Sequence, residues 1–206
     1  MDIILNGAAG RIQAAYHRSD VENAPIAAVF HDYPQNGGNM NEAAAYTLFF
    51  AFAQMGYNTI RFNFRGAGGT AGTFDDDDDE NQLSDAATVV DWLQDQNDTA
   101  RSFWLAGNGF GAYIALQMLM RRMDASGYVA VNAPIRKHDF SFLNPMPCGG
   151  LFIDSSASDN AGGFVSGLNR GKKIKAAHRI IESNTRFDGR LKDLFAAISE
   201  YVDKQG

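Results

Sequence analysis

An α/β fold on a mostly parallel, twisted sheet is predicted by three features of the sequence. From about residue 25 onward, short apolar runs rich in β-forming residues alternate with longer segments of helical period. The longer segments carry helix start and stop residues at their ends. Two strand-like segments precede the alternation and flank the turn-rich stretch Asn6-Gly7-Ala8-Ala9-Gly10, the pattern of an antiparallel hairpin added to one sheet edge.

Taken in order, Ile3 to Leu5 and Arg11 to His17 are the hairpin strands. Six more are predicted at Ile26 to His31, Thr59 to Phe64, Phe103 to Ala106, Tyr128 to Val131, Leu151 to Asp154 and His178 to Ile181. Between them, Asn41 can cap a helix whose Ala45, Leu48, Phe49 and Phe52 share one face, and Gly56 can end it in a left-handed conformation. Ser84 can cap the next, with Asp85 favourable in its positive first turn and Ala86, Val90 and Leu93 on one stripe. Ala112 to Met120 is apolar nearly all round and should be the most buried helix. The last presents Leu191, Leu194, Phe195, Ile198 and Val202 at helical spacing. No repeat or linker divides the chain, so residues 1–206 are expected to form one domain.

Composition excludes several classes. With 206 residues, 45% hydrophobic and 20% charged, the chain is neither disordered nor collagen-like, and it is long enough to bury a core without staples. A single cysteine, Cys148, rules out a disulfide framework and fits a reducing compartment. No apolar run approaches the ~20 residues of a membrane helix, and the N-terminus lacks a basic start and cleavage site. A cytoplasmic protein with no membrane partner is the expectation. The net charge of -6 opposes phosphate attraction, so nucleic acid is not an expected partner.

In an open parallel sheet, ligands bind beyond the carboxyl ends of the strands. There Phe103 to Ala106 runs into Gly107-Asn108-Gly109-Phe110-Gly111 and then the apolar helix, the strand-turn-helix context of a nucleophile elbow. His31-Asp32-Tyr33-Pro34-Gln35-Asn36-Gly37-Gly38, Arg61 to Gly68, Leu83-Ser84-Asp85-Ala86 with Asp91-Trp92-Leu93, and Asp139 to Leu143 accompany it. Over nearly its whole length the chain resembles the α/β-hydrolase superfamily, in particular its small cap-less bacterial members. Their His-Pro-His-Pro-x-x-Gly-Gly loop, matched by the stretch from His31, supplies one amide of an oxyanion hole.

The resemblance implies a serine triad, and this chain departs from it at each member. Gly109 stands at the nucleophile, Ser158 at the acid and Thr185 at the histidine. Glycine has no atom to attack a carbonyl, threonine cannot shuttle a proton near neutral pH, and serine cannot hold an imidazolium. The backbone amides do not depend on side chains, so His31, Asp32, Tyr33, Asn108 and Phe110 are the candidate ligand-binding residues. A small carbonyl or carboxylate compound against the amide pair is the candidate ligand. A binding, scaffold or regulatory protein without hydrolytic chemistry is the favoured reading, homo-oligomeric assembly being compatible with it.

Two other readings stay open. One is a hydrolase or lyase using displaced groups such as His31, Asp154, Asp159 or Tyr33. The other is a nucleotide-binding protein, since Gly107-x-Gly109-x-x-Ala112 and Gly66-x-Gly68-x-x-Ala71 fit the dinucleotide fingerprint; the strand after the first ends in Val131-Asn132-Ala133, without the acid that would hold a ribose. No cofactor is called for. Asp75 to Glu80 lacks the spaced ligands of a calcium loop and is expected to be a solvated loop. His17 and His138 have no partner pattern, and His178 is expected at the rim opposite the site, so no zinc site is predicted. Cys148 is expected to be a packed thiol. Arg170, Lys172, Lys173, Lys175 and Arg179 form a basic segment, a solvated connection or an intersubunit salt-bridge surface.

Overall fold

The computed structural model describes residues 1–75, 78–159 and 161–205. Eight strands form one sheet in the order β1-β2-β4-β3-β5-β6-β7-β8. They are β1 (Asp2–Gly7), β2 (Gly10–His17), β3 (Ile26–Phe30), β4 (Asn58–Phe62), β5 (Phe103–Asn108), β6 (Gly127–Val131), β7 (Gly150–Ser155) and β8 (Ala176–Ile181). β1 and β2 pair antiparallel and β2 joins β4 antiparallel, while β3 to β8 run parallel. Every predicted strand is present, and the hairpin sits at the edge as expected.

The helices are α1 (Ala43–Gln54), α2 (Asp79–Asp95), α3 (Phe110–Arg121), α4 (Gly162–Leu168) and α5 (Leu191–Val202). β3, β5, β6 and β7 are buried along their whole length because helices cover both faces. Side chains alternate between the two faces. Ile26, Ala28 and Phe30 pack with α2 and α3, and Ala27 and Val29 with α1 and α5. α3 has nine buried residues, which bears out the helix expected to be most buried.

Two helix starts differ from expectation. α1 begins after Glu42, without a side-chain cap, because the Asn41 carboxamide accepts from Arg61. α2 begins at Asp79 rather than at Ser84: Asp78 accepts from the Glu80 amide at 3.1 Å, and Asp79 and Glu80 sit in the positive first turn. The end of the acidic run is thus helix rather than loop; its members Asp76 and Asp77 lie outside the described residues. Gly56 ends α1 with φ +83°, as anticipated. The short α4 had no periodicity to announce it.

Arg65, just after β4, makes a bidentate pair with Asp85 of α2, at 2.8 and 2.7 Å. Both side chains are almost wholly buried. Two of the motif segments quoted above therefore serve to lock α2 onto the sheet. Among the described residues, no helix is long and apolar enough to cross a membrane.

Candidate functional site

The carboxyl ends of β3, β5, β6 and β7 open onto a cleft of about 710 Å³. Its wall includes Asp32, Tyr33, Glu42, Asn108, Gly109 and Asn132, and further out Ser158, Asp159, Thr185 and Asp188. Gly109 forms the corner between β5 and α3 with φ 54° and ψ -121°, a conformation open to glycine and strained for other residues. Its amide donates to Val131 O at 2.9 Å, and its carbonyl accepts from Ala112. Ser158 and Thr185 do reach the same cleft, so the three positions singled out in the sequence converge.

The amide pair is not open. Asp32 Oδ1 accepts from the Tyr33 amide and from the Phe110 amide, each at 2.8 Å. Phe110 is the first residue of α3, so the carboxylate also lies at the positive end of that helix. A carbonyl or carboxylate ligand expected against these amides meets a seat already taken by a side chain. The two donors expected to be free are thus engaged by Asp32 Oδ1.

The same carboxylate fills the space above Gly109. A Cβ built on Gly109 would lie 2.0 Å from Asp32 Oδ1 and 2.2 Å from its Cγ. Gly111 is needed for a separate reason, since a Cβ there would lie 2.3 Å from Phe30 O. Close packing of α3 against β3 accounts for this glycine.

Glu42, which the sequence reading missed, completes the floor. Its Oε1 accepts from the Asp32 amide at 3.0 Å and from Asn108 Nδ2 at 2.8 Å. Burial pushes this carboxyl up to about 7, against the partial relief of the Asn108 hydrogen bond. The sequence signal was an acid at a helix start, which has an ordinary dipole explanation.

His31 is 1% exposed and stands behind the site rather than on its wall. Nε2 accepts from the Phe64 amide at 2.9 Å, which fixes the tautomer so that Nδ1–H donates to Asp32 O at 2.6 Å. Burial lowers its pKa to about 4, so the ring is neutral at pH 7 with both nitrogens engaged. It braces the loop that delivers Asp32.

The two raised and lowered groups oppose each other in stability. The folded state keeps the Glu42 proton between pH 4.5 and 7, so that group's contribution falls as pH rises through this window. His31 does the reverse between about 4 and 6.5, where the unfolded chain binds the proton more readily. Glu42→Gln removes only the first effect. The stability of the variant relative to the parent should therefore climb, by up to about 3 kcal/mol, from pH 4.5 to 7. Urea unfolding at a series of pH values measures it, and a difference independent of pH would contradict the burial of this carboxyl.

Other histidines have partners that the sequence did not show. His138 bonds to the Tyr33 hydroxyl and stacks on Tyr113 at 4.1 Å. His178 lies within β8 rather than at the far rim; its Nε2 is 2.8 Å from Asp154 Oδ2. Asp154 also accepts from Ser158 Oγ and the Ala161 amide, so it is a buried tie between β7, β8 and the following loop. Asn132, at φ 45°, holds the ends of β6 and β7 together and reaches Thr185 O. Asp159 stands at the cleft mouth, 4.0 Å from Arg136. Cys148 packs against the core away from the cleft, and burial raises its thiol to about 11. Arg179 pairs with Glu200, while Arg170, Lys172, Lys173 and Lys175 are exposed.

Comparison with known proteins places this geometry among relatives. The family model for X-Pro dipeptidyl-peptidase (S15 family) matches residues 11–143. An uncharacterized protein of Rickettsia prowazekii (strain Madrid E) is 37% identical over 210 residues, 97% of this chain and 87% of that one. A protein of unknown function from Agrobacterium tumefaciens, provisionally classed as an alpha/beta hydrolase, superposes with a TM-score of 0.94 at 38% identity, covering 100% of this chain and 96% of that one. A lidless a/b serine hydrolase from Xanthomonas campestris superposes at 0.86 with 27% identity, covering 99% and 94%.

Proposed function

The chain belongs to the α/β-hydrolase superfamily, in the family that the S15 model describes, and from that premise we propose that it works by binding a small ligand in its cleft, without serine-based hydrolysis. The carrying observation is Asp32 Oδ1, held at 2.8 Å by both the Tyr33 and Phe110 amides. In a working hydrolase such amides must wait for the negative charge that develops on a substrate oxygen. Here an anion of the protein already satisfies them, and Gly109 beneath it carries no hydroxyl. Thr185 and Ser158 supply neither a proton shuttle nor a carboxylate.

A panel of short-chain esters and a serine-reactive fluorophosphonate probe test this reading. Turnover at the level of uncatalysed hydrolysis and no labelled serine are expected. Stoichiometric labelling of any serine, or rapid turnover, would overturn it.

One observation favours the enzyme with displaced groups as a second reading: a carboxylate oxygen stands where the corner lacks a side chain, with Glu42 beside it. A covalent mechanism through Asp32 would transfer solvent ¹⁸O into that carboxylate over successive turnovers, which mass spectrometry of the tryptic peptide detects. The first reading is preferred because Oδ1 is committed to two donors, and the nitrogens of His31 are both engaged.

A further inference from the structure

The floor of the cleft has acceptors to spare. Among the described residues, Asp32 Oδ2 has no hydrogen-bond partner, its other oxygen taking both amides. Asn108 lines the same floor, is only 6% exposed, and leaves Oδ1 without a partner. Its Nδ2 is already committed to Glu42. A buried acceptor left unpaired is costly, and nothing else on the wall supplies the missing donor.

Charge points the same way. Asp32, Glu42, Asp159 and Asp188 line the cleft against a single lining guanidinium, Arg186, and Arg136 approaches Asp159 from outside. The half-buried Glu42 has the Asp32 amide and Asn108 as partners and, among the described residues, no basic side chain paired with it. Among the described residues no three His, Cys, Asp or Glu side chains are gathered as a metal ion needs. A head group with several N–H donors and a diffuse charge suits these unevenly spaced acceptors better than a bare ion.

Building on the binding reading above, we propose that the cleft takes a small organic cation, its ammonium or guanidinium head seated among Asp32 Oδ2, Glu42 and Asn108 Oδ1. The ligand is thus of opposite charge to the carboxylate that the amide pair alone would invite.

The test is an NMR titration of ¹⁵N-labelled protein at pH 8, above the raised pKa of Glu42 so that its carboxyl is ionised, with methylguanidinium and n-butylammonium chloride, and with sodium butyrate and 1-butanol as charge controls at matched ionic strength. The cations should shift the Asn108 side-chain NH₂ and the Gly109 amide, and Glu42→Gln should weaken their binding by about tenfold. Asp159→Asn, at the mouth, should weaken it less and provides a second variant if Glu42→Gln does not fold. Binding of butyrate or butanol as tight as that of the cations, or no response to either cation, would overturn the proposal. Ester turnover would strike instead at the reading that the cleft only binds, so the two failures are distinguishable.

Discussion

Gly109→Ser is expected to lower stability by about 3 to 5 kcal/mol and to bring no esterase activity with it. Two costs add. The corner conformation itself strains a residue with a side chain by about 1 to 3 kcal/mol. The new Cβ would also lie 2.0 Å from Asp32 Oδ1, so the carboxylate must leave the two amides that it joins. Hydrogen bonds to a charged group contribute roughly 1.5 to 3 kcal/mol each, and only part of that returns when the displaced carboxylate meets water. Thr185 and Ser158 line the same cleft and offer no histidine and acid to activate the added hydroxyl.

A double-mutant cycle separates these costs. In an Asp32→Ala background the amides are already empty, so Gly109→Ser should cost only the backbone strain. The two substitutions should therefore couple by about 2 kcal/mol in denaturant unfolding. Strict additivity would show that Asp32 does not occupy the space above the corner.

Asp85→Ala should be comparably damaging, lowering stability by about 3 to 5 kcal/mol. It strands the Arg65 guanidinium, which is 8% exposed and draws its pKa upward from the Asp85 hydrogen bonds and charge. Most of the loss comes from the uncompensated charge rather than from the value of the pair. Replacing both residues by apolar ones, as in Arg65→Met with Asp85→Leu, should recover a large part of it. Thermal melting compares the three variants. A loss below about 1 kcal/mol for Asp85→Ala would show the pair to be effectively solvated.

The strands were legible in the sequence because their signals are local. Val29, Phe30, Leu105 and Val131 lie in unbroken apolar runs that only a sheet covered on both faces requires. Helix starts were less legible, since Asn41, Ser84 and Asp78 all have side chains able to cap. The choice fell to tertiary contacts such as that of Asn41 with Arg61. The cleft position followed from the topology, whereas Gly109, Ser158 and Thr185 were singled out through the family resemblance and line the same cleft. The occupant of the amide pair did not, because Asp32 and Phe110 are 78 residues apart. One clue was present: Asp32 stands where the resembling loop has proline, a residue that could not have placed a carboxylate there. His138 and His178 were likewise read as isolated because Tyr33 and Asp154 meet them only in the folded chain.

The Asp32 carboxylate acting as the protein's own occupant of the amide pair is tested most directly by the Tyr33 and Phe110 amides themselves. Their ¹H shifts and hydrogen-exchange rates can be compared between the parent protein and Asp32→Ala. Both amide protons should be strongly downfield and protected in the parent, and both should move upfield and exchange faster in the variant while the remaining spectrum is retained. Unchanged shifts and exchange at both amides would mean that the pair stands open, and the account built on its occupation would fail.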